Sequence, residues 1–158
     1  MAADKHADTD PAVSVCFSVS IDPAGGAPGS GTVDLGNFVS CEGLGCELVV
    51  EQREEGGNND FVWQLPTRLK YSNIKLTRPV GKDTVKLTAW FASLAGGIER
   101  RTATISAMTT DGRTVATWSL AGVLPVRWTG PSLNLDSPKV ATETLEIAHH
   151  GFLPEQGA

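Results

Sequence analysis

The chain has 158 residues, 41% of them hydrophobic and 20% charged, and a formal net charge of −5. That is enough chain to bury one core without disulfide or metal staples, and an acidic balance with no Lys/Arg run argues against binding nucleic acid through its phosphates. No stretch is apolar for long enough to span a bilayer, and MAADKHADTDPAV lacks the apolar segment of a signal peptide, so a protein made and folded in the cytoplasm is expected.

Residues 1–12 are small and polar and read as an arm. Val13 to Ile21 alternates, with Val13, Val15, Phe17, Val19 and Ile21 on one face and serines and Cys16 on the other, as in a half-buried strand. DPAGGAPGSG, Asp22 to Gly31, is a Gly/Pro/Ser loop. Thr32 to Ser40 resumes strand character and leads into the longest feature, a hairpin over 41–79.

In that hairpin Gly45 to Arg53 and Tyr71 to Arg78 are the expected strands. Leu48 and Val50 share one face of the first, with Glu47, Val49 and Glu51 opposite. In the second, Ile74 and Leu76 oppose Lys75 and Thr77. Period-two alternation sends the apolar sets to the subunit core, and a one-residue slip would bury the charges instead. Glu47 or Glu51 is then set to pair with Lys75 across the strands. The acidic, Gly/Asn-rich connection from Glu54 to Gln64 makes a large polar tip.

Asp83 to Ala95 is the one helix, with Asp83 as its N-cap, Leu87, Trp90, Phe91 and Leu94 as its buried stripe and Gly96-Gly97 as its stop. Arg100 to Met108 is a strand, with Asp111-Gly112 the turn that follows it. Thr114 to Trp128 is a strand system bent at Gly122 and Pro125. Val140 to Ala148 is the last strand, and residues 154–158 are a tail. About seven strands and one helix in this order make a mainly β fold, a small barrel or sandwich over 13–153.

No catalytic constellation emerges. Glu54-Glu55 lies in a solvated tip, His149-His150 lacks a spaced partner and reads as a surface or interface pair, and no GxSxG elbow is present. Gly43-Leu44-Gly45 precedes a strand rather than a helix, so no helix N-terminus is offered to an anion. Cys16, Cys41 and Cys46 form no CxxC pair and read as reduced, buried thiols rather than a zinc set. The expectation is a non-enzyme with no cofactor and no metal, whose long amphipathic strands and apolar Gly151-Phe152-Leu153-Pro154 end need protection or a partner.

The stretches FVSCEGLGCELVVEQREEGGNN, LPTRLKYSNIKLTRPV, AWFASLAGGIERR, LPVRWTGPSLN and VATETLEIAHHGF, in that order and spacing, resemble the tail-tube protein family of contractile phages and phage-like contractile injection systems. The resemblance covers about Val13 to Phe152, and CEGLG leans toward the injection-system branch. It implies a hexameric ring stacked into a hollow tube inside a sheath, with baseplate and cap proteins as partners and cargo effector or DNA in the lumen. The particle would sit in the bacterial cytoplasm or in a virion tail, with no direct membrane insertion by the subunit. If the hairpins of six subunits join into an inner barrel, Glu47, Val49, Glu51, Lys75 and Thr77 face the lumen. The polar tip, Glu54, Glu55, Gly56, Gly57, Asn58, Asn59 and Asp60, is expected to touch an adjacent subunit or ring. The competing readings are a terminal adaptor or baseplate ring protein of the same fold, a monomeric ligand-binding β-barrel, and a hydrolase.

Overall fold

A computed structural model describes residues 16–23, 31–57, 59–136 and 138–154. The N-terminal arm, most of the Asp22 to Gly31 loop, Asn58 of the tip and nearly all of the C-terminal tail lie outside the described residues. The strands are β1 (Cys16–Asp22), β2 (Val33–Phe38), β3 (Ser40–Glu42), β4 (Cys46–Arg53), β5 (Trp63–Tyr71) and β6 (Ile74–Pro79). Helix α1 (Thr84–Ser93), extended by a 3-10 turn over Leu94–Gly96, precedes β7 (Arg101–Met108), β8 (Thr114–Thr129), β9 (Thr142–Ala148) and β10 (Gly151–Leu153). Ten strands among the described residues exceed the expected seven, because Ser40–Glu42, Trp63–Tyr71 and Gly151–Leu153 are strands of their own.

The body is one antiparallel sheet in the order β2-β1-β7-β8-β9-β6-β3, with β10 also on β8. Two features fold it back on itself. β8 pairs with β7 over its first part and with β9 over its last, turning near Gly122, whose φ is +61°. A Cβ there would come within 2.8 Å of the His150 ring, so the bend needs glycine on both counts. The second feature is the passage from β2 to β3 through Val39, where the chain leaves β1 and takes up pairing with β6. The two ends of the sheet are thus consecutive in sequence, and the layers face each other as a sandwich rather than closing as a barrel.

The alternation read from the sequence selects what goes between the layers. Val19 and Ile21 of β1, Ala103, Ile105 and Ala107 of β7, Ile74 and Leu76 of β6, and Leu145 and Ile147 of β9 are all buried. Helix α1 adds Leu87 and Trp90, with Phe91 packed against the same cluster. Asp83 stands at the N-cap position, but its side chain caps nothing; its carboxylate takes Lys86 Nζ at 2.9 Å instead. That hydrogen bond holds the Asp83 carboxyl below the usual carboxylate range.

One buried charge cluster sits within this apolar packing. Glu143, on the core face of β9 beside Leu145, is fully buried and accepts from Arg78 Nε at 2.7 Å, Thr84 Oγ1 at 3.0 Å and Trp128 Nε1 at 3.0 Å. The Arg78 guanidinium also donates through Nη1 to the Leu35 carbonyl, and its Cζ lies 4.5 Å from the Phe38 ring centroid. A buried ion pair is sound only when its remaining lone pairs and protons are matched. Here the carboxylate is well satisfied, whereas Arg78 Nη2 is buried without a partner among the described residues.

Removing one member should strand the other. Arg78→Met is expected to cost about 3–5 kcal/mol, read by urea unfolding of the disassembled subunit. Arg78→Met combined with Glu143→Leu should unfold at higher urea than Arg78→Met alone. A double variant weaker than the single one would show that the carboxylate's bonds to Thr84 and Trp128 carry the site.

Candidate functional site

Tyr71 to Arg78 is not the partner of the Gly45 to Arg53 run. The strand opposite β4 is β5, with Cys46↔Tyr71, Glu47↔Lys70, Leu48↔Leu69, Val49↔Arg68, Val50↔Pro66, Glu51↔Leu65 and Arg53↔Trp63 in register. The expectation failed because Trp63–Tyr71 contains Pro66, a residue that argues against a strand interior, and its pairing is interrupted by a bulge. A bulge gives β5 one extra residue, Thr67, whose hydroxyl donates to the Val49 carbonyl at 2.7 Å. Strand β6 pairs instead with β3 and β9, placing Lys75 opposite Glu42 on one side and Glu146 on the other. Glu47 therefore has Lys70, not Lys75, as its cross-strand neighbour, and Glu51 has Leu65.

The β4–β5 ribbon extends the β3–β6 pair beyond the body. The join lies at Gly43, Leu44 and Gly45 on one side and Ser72 and Asn73 on the other. Gly43 has φ +91°, and a Cβ on it would meet the Asn73 carbonyl oxygen at 2.1 Å. At the base of the ribbon Tyr71 packs on Gly151, with ring centroids 5.4 Å from His149 and 5.9 Å from Phe152. His149 is buried here, not on the surface, because the adjacent β10 strand closes over it; only His150 is exposed, its Nε2 2.7 Å from Arg100 Nη1.

Past Tyr71 the described elements of the chain stop covering the ribbon. Cross-strand partners share a face, so one face carries Leu48 with Leu69 and Val50 with Pro66. Leu48, Val50 and Leu69 were expected to be core positions in the case of the first two, yet they remain 51%, 45% and 54% exposed. They lie on the face that bears Tyr71, but the opposing layer ends short of them. The other face carries Glu47 with Lys70, Val49 with Arg68, and Glu51 with Leu65. On β6, Lys75 is exposed, and Thr77 is half-buried with its hydroxyl 3.3 Å from that of Thr144. At the tip the described residues among Glu54 to Asp60 are exposed; Phe61 and Trp63 meet edge to face at 5.0 Å, and Trp63 Nε1 donates to Glu55 at 3.0 Å.

Two observations set the chemistry of this surface. Among the described residues no group of His, Cys, Asp and Glu is arranged to hold a metal ion, and no helix is long and apolar enough to cross a membrane. What the ribbon offers is backbone and apolar area: two edges with no strand beside them among the described residues, and a stripe of exposed Leu, Val and Pro side chains. A two-stranded ribbon is marginal in water when alone, and open edges invite further strands.

Residues 13–153 match the model of the T4-like virus tail tube protein gp19 family. The chain belongs to that family. It is a tail-tube structural subunit, and the ribbon is part of its tail-tube fold. The solved structures similar to it include a chain of the baseplate of the anti-feeding prophage, seen by cryo-electron microscopy with six-fold symmetrisation, at 26% identity and TM-score 0.76 over 92% of this chain and 95% of that one. A chain of the PVC sheath–tube complex, an extracellular contractile injection system in its extended state, matches at 21% identity and TM-score 0.72 over 97% of both chains. One of the PVC sheath/tube terminator matches at 22% and TM-score 0.70 over 91% of this chain and 96% of that one. No curated protein sequence matches.

Cys41 on β3 and Cys46 on β4 stand on either side of the join to the ribbon, whereas Cys16 opens β1. Cys46, at the foot of β4, is exposed rather than buried, and Cys16 and Cys41 are only half-covered. Burial, with Glu42 beside it, pushes the Cys41 thiol up to about 11. At pH 8 its thiolate fraction is then roughly one in a thousand, so in the free subunit Cys46 should label with a maleimide well before Cys41. Peptide mapping after brief labelling checks this. A second outcome tests the join: Gly43→Ala should lower subunit stability by about 2 kcal/mol or more, because it adds a left-handed alanine to a backbone clash. Thermal melts of the disassembled protein measure it.

Proposed function

We propose that the β4–β5 ribbon is the surface through which this tail-tube subunit assembles, in a hexameric ring stacked into a tube. The observation that carries the reading is the ribbon's exposed apolar face, Leu48, Val50 and Leu69, set between two edges that pair with no other described strand. Strands from neighbouring copies satisfy those edges by main-chain hydrogen bonds of about 0.5–1.5 kcal/mol each. The neighbour's body buries the apolar stripe, which returns about 25 cal/mol per Å² covered. Closure of the ring leaves no edge open, which removes the aggregation hazard of the isolated ribbon.

With the apolar stripe against a neighbour, the opposite face becomes the channel wall. Glu47, Val49 and Glu51 then look into the lumen beside Arg68 and Lys70, and Lys75 and Thr77 continue that wall along β6. Both charge signs alternate there, so no continuous field of one sign holds a passing cargo effector or DNA. The sheath would contact the outside of the tube, and baseplate and cap proteins its two ends. The solved relatives of this fold come from a baseplate, a sheath–tube complex and a terminator, which supports the same set of partners here. The particle would work in the bacterial cytoplasm or as part of a virion tail, and the subunit does no catalysis.

Because Leu48 and Leu69 are exposed in the single chain, Leu48→Lys with Leu69→Lys should change subunit stability by no more than about 0.5 kcal/mol each. The same pair should abolish rings and tubes in negative-stain images and leave a monomer on sizing columns. Tubes of normal length from that variant would sink the ribbon as the assembly surface. A wild-type chain that forms only single rings would favour the adaptor reading.

A further inference from the structure

The ribbon and helix α1 sit at opposite ends of β6: β5 leads into Ile74, and α1 begins at Thr84, beyond Pro79. Beside α1, between it and β1–β2, lies a groove of about 260 Å3 walled by Val33, Leu35, Ala89 and Trp90. Its charged lining residues are Lys86 and Arg101, with no carboxylate among them; Lys86 is shared with Asp83 at 2.9 Å. Trp90 Nε1 is buried and has no acceptor among the described residues. The ribbon tip at the other end has the complementary character. Phe61 and Trp63 are 54% and 45% exposed, and Glu54 and Glu55 adjoin them.

The geometry points to a head-to-tail socket, in which the tip of one copy, led by Phe61, enters the α1 groove of the copy stacked next to it. The occupant is a second copy of this chain, and the inference rests on the tube reading, since stacking is what brings unlike ends together. Three features favour it. The groove has room for one aromatic ring and is apolar on its walls. Its two cations face an incoming acidic tip, which sets orientation and disfavours tip against tip. The segment around Phe61 also brings backbone carbonyls to a buried indole N–H that lacks one, and such a group is costly when unpaired. A contact between unlike patches propagates instead of closing, which is what a tube of indefinite length requires.

Charge reversal on the full-length chain tests this. Glu54→Lys with Glu55→Lys, and separately Lys86→Glu with Arg101→Glu, should each shorten tubes at least tenfold toward single rings in negative-stain images and sedimentation. The four changes in one chain should restore length, because every copy then carries both reversed halves. A combined variant no longer than either pair, or pairs that leave length unchanged, would overturn the socket. A wild-type chain that forms rings and never stacks overturns it too, while one that forms no rings overturns the tube reading itself. Where a reversed pair does not fold, Phe61→Cys with Ala89→Cys in a chain stripped of native thiols reads the same contact. Oxidised tubes should then yield a covalent ladder beyond dimers, and its absence from intact tubes contradicts the docking.

Discussion

The carboxylate of Glu143 is the point on which the body is hung. It draws together Arg78 of β6, Thr84 at the start of α1 and Trp128 of β8, while Arg78 reaches on to the Leu35 carbonyl of β2 and covers the Phe38 ring. Two layers and the helix therefore share one buried charge cluster. Desolvating such a pair costs several kcal/mol per ion, and a purely apolar core of the same shape is often no less stable. Its value lies in direction. Apolar packing tolerates sliding of one layer on another, whereas four hydrogen bonds at defined atoms leave few alternative placements of α1 and β2 relative to β6.

That placement matters because β6 is also the root of the ribbon. Anything that holds β6 in the body sets where β4 and β5 project, and the Gly43–Asn73 close approach together with Tyr71 on Gly151 stiffens the exit. The subunit thus divides its hydrophobic surface in two. One part is spent inside the sandwich, on Phe38, Ile74, Leu76, Leu145 and their neighbours. The other is kept on the outside of the ribbon, too far from the opposing layer to be buried by it. A monomeric protein with that much uncovered strand would be prone to edge pairing with unlike chains. On the proposed reading, the same feature drives assembly of the tube.

What the sequence alone determined was local and periodic: the apolar faces of β1, β6, β7 and β9, the α1 stripe, the Asp111-Gly112 turn and the bend at Gly122. Each depends on residues near one another in the chain, so alternation, helical spacing and turn chemistry suffice. The family was legible too, in the order and spacing of five stretches rather than in any single motif. What only the tertiary structure decided was which strand lies beside which and where the body ends. Alternation cannot show that β5 rather than β6 pairs with β4, since both have the right period and the β5 signal is broken by Pro66 and a bulge. Nor can it show that Leu48 and Val50 lack a cover, because a residue's face follows from local geometry while its burial depends on whether distant chain reaches it. The same limit hid Glu143 and His149. Their neighbours, Arg78 and Trp128 for one and Tyr71 and Phe152 for the other, are assembled from separate strands, and a polar residue's burial is settled by the partners that the fold brings to it.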